Sequence, residues 1–251
     1  MPILHPATFI PLGCALAEIR IEIDPAEPPA PTPDMAERWA AACARLPRLF
    51  NGPILRFRSF DPARGVVRAS RETYLRYTMQ RFDAAASTPE STIHHLAVTG
   101  VVTAPDGGGR EHVLLGRRGE GTLLYPGRWE LAPGGGLDSA DIYGQLLQEM
   151  EEELGIAGLV DGSRRNALLR PPGPTDVLGI AIDPNAPSAD VVVRVRLGAG
   201  AGEDFTGQSW EYGATRWIPL DEVGSLTAAA AGELIPPTLA ILRGLGPGKG
   251  A

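Results

Sequence analysis

The feature that most constrains the fold is the run Pro133-Gly134-Gly135-Gly136-Leu137-Asp138, set shortly before Gln148-Glu149-Met150-Glu151-Glu152-Glu153-Leu154-Gly155-Ile156. Successive glycines bring no side chain to a core, and their use is close approach of backbone to another group. The residues that follow have a helical period: Ile142, Leu146, Met150 and Leu154 recur at every fourth position and predict an amphipathic helix over 141–154. At about 100° per residue, Glu149, Glu152 and Glu153 fall beside that apolar stripe within roughly 100° of arc. Glu151 points away and is expected to be merely solvated. No lysine or arginine lies within a turn of these acids. Close like-charged pairs cost about 0.2–0.5 kcal/mol each on an isolated helix. A divalent cation in all-oxygen ligation, Mg²⁺ or Mn²⁺, offsets that repulsion. A solvated acidic face has the same pattern, so the glutamates by themselves leave both readings open.

The rest of the chain interleaves strands and helices. Short strands are expected at 8–12 and 17–23, a stiff proline connector at 25–33, and a helix over 34–46 capped by Asp34, with Met35, Trp39, Cys43 and Leu46 on one face. A hairpin over 54–60 and 66–69 precedes a helix at 71–82, and the small polar stretch 84–91 reads as a boundary. Strands at 93–103 and 112–117 join through the turn 105–109, followed by the glycine-rich loop 125–136. Beyond the glutamate helix come strands at 176–182, 190–197 and 213–218 and a final helix at 228–243. Unequal spacing of these elements predicts an α/β layered domain rather than regular βαβ winding.

At 251 residues and 43% hydrophobic content, the chain can bury one large domain, or one domain with a smaller companion. No apolar run approaches the about 18 residues of a membrane span. The N-terminus lacks the basic start of a signal peptide, so a cytoplasmic, non-membrane protein is expected. Cys14 and Cys43 are too few for a disulfide framework or a structural zinc site. The net charge of −7 disfavours nucleic acid as a general partner. The charge is uneven: residues 45–81 hold nine arginines against Asp61 and Glu72 alone. Such a cluster suits phosphates.

With its glycine loop included, the glutamate segment resembles the Nudix box, whose pattern is Gly, five residues, Glu, seven residues, then Arg-Glu-apolar-x-Glu-Glu-x-Gly-apolar. Glu149, Met150, Glu152, Glu153, Gly155 and Ile156 match its second half. Val113 to Arg118, Pro126 to Leu131, and Glu211 with Arg216 to Glu222 resemble the approach to and exit from the box. Two departures stand out. Gln148 takes the place of the family's arginine, and Ala140 that of its first glutamate, a role Asp141 fills only if one residue is deleted between loop and helix. Trp39, the run 49–53, Arg56-Phe57-Arg58, Thr73-Tyr74 and Tyr77 further resemble the N-terminal extension of UDP-sugar-hydrolysing Nudix enzymes.

The resemblance implies a Nudix α/β/α sandwich with a mixed sheet over 91–251, and a small α+β extension over 1–90 that shapes the substrate site or serves a homodimer. It implies Mg²⁺ (or Mn²⁺) held by Glu149, Glu152, Glu153 and a carbonyl near Gly134. Glu152 or Glu211 would act as base in hydrolysing a nucleoside diphosphate linked to a group X, foremost a UDP-sugar. Arg56, Arg58 and Arg118 are candidates to hold phosphates, and Trp129 to stack a base. Pro171 and Pro172 keep ADP-ribose or a dinucleotide as the alternative substrate. The lost box residues keep a silent nucleotide sensor as another. His94 and His95 read as ordinary strand residues.

Overall fold

Strand β5 (His94–Pro105) is the axis of the molecule, and its alternation decides which layer each neighbour joins. Leu96, Val98 and Val102 face one side, where they pack with Leu146, Met150 and Leu154 of helix α3 (Ile142–Leu154). Val101 faces the other, packing with Ile241 and Leu242 of α5 (Pro236–Leu245). A mixed sheet with helices on both faces is thus the α/β/α sandwich that the sequence implies. This computed structural model describes residues 5–46, 49–80, 91–164, 169, 176–198 and 211–245. Pro171 and Pro172, and nearly all of the boundary stretch 84–91, lie outside them.

The elements ahead of β5 are β1 (Thr8–Ala15), β2 (Arg20–Asp24), α1 (Pro33–Arg45), β3 (Pro53–Asp61), β4 (Val66–Thr73) and α2 (Tyr74–Gln80). After it come β6 (Glu111–Arg118), β7 (Trp129–Leu131), β8 (Gly134–Gly136), α3, β9 (Asp176–Asp183), β10 (Ser188–Arg196), β11 (Tyr212–Pro219), α4 (Val223–Ala229) and α5. The sheet runs β1-β9-β10-β5-β3-β4-β2; β8 and β6 also pair with β5, and β7 and β11 with β6. β10 lies parallel to β5, and β2 parallel to β4.

The N-terminal segment is tied into this sheet at both ends. β1 pairs antiparallel with β9, and β3 meets β5 through Arg56↔His95 and Phe57↔His94. Leu55 N–H donates to the Leu137 carbonyl (2.8 Å), and the Gln80 amide bonds both Ile93 N–H and Ile93 C=O at 2.7 Å. Met79 and Leu75 pack under Ala42, Met35 and Trp39 of α1.

Local chemistry moves some boundaries. Thr32, not Asp34, caps α1: its Oγ1 accepts from Met35 N–H, and Asp34 pairs with Arg38 instead. The hairpin's second strand runs on to Thr73, so the helix expected from 71 starts at Tyr74. The single late helix expected at 228–243 is two, α4 and α5, parted by a turn that ends at Pro236-Pro237. Asp141 caps α3 by accepting from Gly144 N–H (2.8 Å), and Gly155 ends it at φ 70°, the left-handed cap that glycine adopts without strain. Among the described residues no helix is long and apolar enough to cross a membrane.

Candidate active site

A cleft of about 980 Å³ opens on the α5 side of β5, and Glu149, Glu152, Glu153 and Glu211 line it together with Gly134, Gly135 and Gly136. The glycines are there for space. A Cβ on Gly135 would collide with the Glu149 carboxylate, and one on Gly136 with the His95 ring. So the loop passes between a helix edge and a strand where any side chain would push one of them away.

Each glutamate is held differently. Glu149 accepts from Gln145 Nε2 at 2.7 Å, and burial pushes its carboxyl up to about 7. Glu152 is reached by Gln148 Nε2 at 2.8 Å, so the glutamine in the arginine position still orients a carboxylate but brings no charge. Glu153 Oε2 accepts from Gly134 N–H (3.0 Å) and Tyr212 Oη (3.1 Å). Burial, then a hydrogen bond and repulsion from Glu211, hold Glu153 well above the usual carboxylate range. Glu151 is not merely solvated. Its Oε1 accepts from Leu159 and Val160 N–H at 2.6 and 2.7 Å and fastens the loop after α3. Asp141, committed to its cap, does not stand in for the missing first glutamate.

The arginine that lines the cleft with this cluster is already engaged. Arg118 lines the cleft, but its Nη1 donates to Glu130 Oε1 (2.6 Å) and its Nε to the Leu124 carbonyl (2.7 Å). Burial opposes the charge on both partners: for Glu130 it wins and raises the carboxyl, while for Arg118 the pairing wins and keeps the guanidinium charged. Among the described residues that line the cleft, no other lysine or arginine stands with these acids. Carboxylate oxygens gathered in this way fit a hard divalent cation. Among the described residues they do not already close into a metal shell, because the glutamates are turned toward Gln145, Gln148 and Tyr212.

Three further candidates fall elsewhere. Arg56 sends Nη2 to the Thr92 carbonyl (3.0 Å) and stands outside the cleft lining. Arg58 occupies a β-bulge between Phe57 and Ser59, bonds Ser70 Oγ at 3.0 Å, and lines a separate small pocket with Glu22 and Asp24. The bulge breaks the two-residue alternation that would otherwise put Arg56 and Arg58 on one face of the strand. Trp129 lies under the Arg216 guanidinium, 4.2 Å from its ring centroid, and packs with the α5 core. Conversely, the cleft is lined by Thr99, Tyr125, Asp183 and Asp190, none of them singled out from sequence, and by His95, which the sequence presents as an ordinary strand residue. Tyr125 Oη bonds Asp183 at 2.6 Å across the cleft wall. The signal for His95, Thr99 and Asp190 is polar residues at alternate positions of apolar strands, whereas Tyr125 lies in the loop before β7 and carries no such mark.

A NUDIX domain model matches residues 93–237, more than half of the chain, and the protein belongs to that family. It is thereby placed in the class of Nudix pyrophosphohydrolases, which act on nucleoside diphosphates linked to a further group and use divalent cations such as Mg²⁺ or Mn²⁺. Among solved structures it is similar to the Nudix hydrolase RenU from M. smegmatis (23% identity, covering 61% of this chain and 83% of that one, TM-score 0.42). It is also similar to the NUDIX domain of Shewanella oneidensis NrtR, solved with ADP ribose (17%, 64% and 92%, TM-score 0.41). A third is a bifunctional NMN adenylyltransferase/ADP ribose pyrophosphatase from Francisella tularensis, solved with AMP and a manganese ion (16%, 68% and 46%, TM-score 0.43). No curated protein matches the chain.

Proposed function

We propose that the protein hydrolyses the pyrophosphate bond of a UDP-sugar, releasing UMP and a sugar 1-phosphate. The observation that carries this reading is that Phe50, Tyr74 and Tyr77 of the N-terminal segment line the same cleft as Glu149, Glu152 and Glu153. Those three belong to the stretch that resembles the extension of UDP-sugar-hydrolysing relatives. Its aromatic residues are therefore available to the group beyond the phosphates. A cleft of about 980 Å³ suits a nucleoside diphosphate with a sugar attached.

Glu149, Glu152, Glu153 and the backbone at Gly134 would hold Mg²⁺, which when bound neutralises the pyrophosphate and lowers the pKa of the attacking water. The chain's own parts are positional. Gln148 steers Glu152; Gly134 N–H and Tyr212 steer Glu153. Glu152 and Glu211 are the candidate bases that take the proton as water oxygen bonds to phosphorus and the bridging P–O bond breaks, its electron pair leaving with the departing phosphate. Arg118, paired to Glu130, shapes this wall rather than clamping a phosphate.

The test is metal-dependent turnover on UDP-glucose, UDP-galactose, ADP-ribose, NADH and a nucleoside triphosphate. Selective cleavage of the UDP-sugars is the expected result. Preference for ADP-ribose keeps the chemistry and overturns the substrate assignment. Tight nucleotide binding with no cleavage would make the protein a sensor.

A further inference from the structure

The cleft continues past the glutamates along the sheet toward the N-terminal segment, and two of its buried polar atoms have no hydrogen-bond partner among the described residues. Strand residues two apart point the same way. β10 pairs with β5 through Ser188↔His95 and Asp190↔Ala97, so His95, Thr99, Ser188 and Asp190 share one face, and all four line the cleft. Thr99 Oγ1 donates to Asp190 Oδ2 at 3.2 Å. Asp190 Oδ1 and His95 Nε2 are shielded by the surrounding wall, yet neither has a hydrogen-bond partner among the described residues. A buried polar atom left unpaired in a native fold requires an explanation. Thr99 and Ser188 are the hydrogen-bonding side chains that act on the Asp190 carboxyl, and the charged ones, Asp183 and Glu130, are both acidic, so no cation there accounts for Oδ1. The Tyr77 ring, 5.1 Å from the His95 ring, closes the wall beside them.

We propose that Asp190 Oδ1 and His95 Nε2 form a subsite that reads the hydroxyls of the sugar joined directly to the pyrophosphate. This rests on the reading of the cleft as a nucleoside diphosphate–X hydrolase site. Once ionised, the Asp190 carboxylate only accepts, so its partner must donate; a neutral imidazole nitrogen pairs with a donor or an acceptor according to tautomer. Neighbouring ring hydroxyls meet both requirements at once, whereas a phosphate would meet Asp190 as a like charge. Position agrees. Gly134 pairs with Thr99 on β5, and Asp190 lies one strand further, on β10. Two strand spacings amount to roughly 10 Å. That is the reach of one sugar ring beyond a phosphate held at the glutamates. A base would have to lie further out.

The experiment compares wild type with Asp190→Ala and with the near-isosteric Asp190→Asn in two independent arms. The first measures kcat/KM for UDP-glucose and ADP-ribose against UTP and ATP, which carry no X group. The expected result is that Asp190→Ala lowers the preference for nucleotide sugar over triphosphate about 20-fold, with Asp190→Asn intermediate. The second measures calorimetric binding of glucose 1-phosphate, ribose 5-phosphate and inorganic phosphate in Mg²⁺. Wild type should favour the sugar phosphates about tenfold, and the alanine variant should lose that preference. Equal losses on nucleotide sugars and triphosphates would place the nucleoside, not the X sugar, at Asp190 and overturn the proposal. So would a wild type that binds inorganic phosphate as well as sugar phosphate. If wild type cleaves no nucleotide sugar, the proposed hydrolase reading fails, and the binding arm decides the subsite separately. Circular dichroism melts of Asp190→Asn separate lost recognition from lost folding.

Discussion

Gly134 donates its backbone N–H to the carboxylate of Glu153, nineteen residues later, at 3.0 Å, and so ties the glycine loop to the helix edge that it approaches. Tyr212 donates to the same oxygen, and Glu211 crowds it from the side. Burying this carboxylate without a cation works against folding. Replacing it by a neutral isostere should therefore separate stability from function. Glu153→Gln is expected to lower metal-dependent turnover at least about 100-fold while leaving the melting temperature in EDTA equal to wild type or higher. Turnover that survives intact would remove Glu153 from the metal site.

Gly135 offers a test of the loop. The Cβ of Gly135→Ala would occupy the place of the Glu149 carboxylate, which is the mobile end of a long side chain and can swing aside. The fold should tolerate the change, losing about 1 kcal/mol or less, while the apparent Mg²⁺ requirement rises about tenfold or more. Magnesium titration of turnover checks this. A normal titration with reduced stability would mean that the glycine serves packing alone.

Arg118 and Glu130 make the pair that sequence alone could not foresee, because each looks like a surface residue of its own strand. Their side chains are only 19% and 10% exposed. Removing one partner leaves a buried charge without compensation, a change that costs about 3–5 kcal/mol in such pairs. Arg118→Ala should therefore act on stability first, seen in urea unfolding. The substrate KM of whatever protein remains folded should change about threefold or less. A large KM effect with normal stability would restore Arg118 as a phosphate ligand.

The part of this architecture that was legible in the sequence is the part whose determinants are local. The α3 stripe Ile142, Leu146, Met150 and Leu154 is a matter of helical period, and its cap Asp141 and terminator Gly155 lie at its ends. Strand alternation was legible too, but it says which residues share a face and not which strand lies alongside. His95 meets Ser188 across a parallel pairing that no local signal marks. For that reason the polar floor His95–Thr99–Asp190 read as ordinary strand. The bulge at Arg58 shows the converse limit, since one extra residue reverses every parity argument beyond it. Helical period alone presents Glu151 as solvated, because its partners, Leu159 and Val160, belong to a loop whose return onto the helix is set by tertiary packing.

Asp190 also gives the fold a pH dependence of known sign. Burial holds its carboxyl at about 7, against an ordinary value of 3.8. Below pH 4 it is protonated in both folded and unfolded chains and has no effect. As pH rises from 4 to 7 the unfolded chain releases the proton and the folded one keeps it, so stability falls across that window. Above pH 7 the loss is complete, on the order of 2–4 kcal/mol. His95 acts oppositely: burial lowers it to about 4, and stability is lost as pH falls from 6.5 toward 4. Because both act on wild type, the informative quantity is the difference from Asp190→Asn, which keeps the shape and loses the titration. That variant should melt with wild type at pH 4 and roughly 5–10 °C above it at pH 7.5. A difference that does not grow with pH would mean that Asp190 ionises freely in the folded protein.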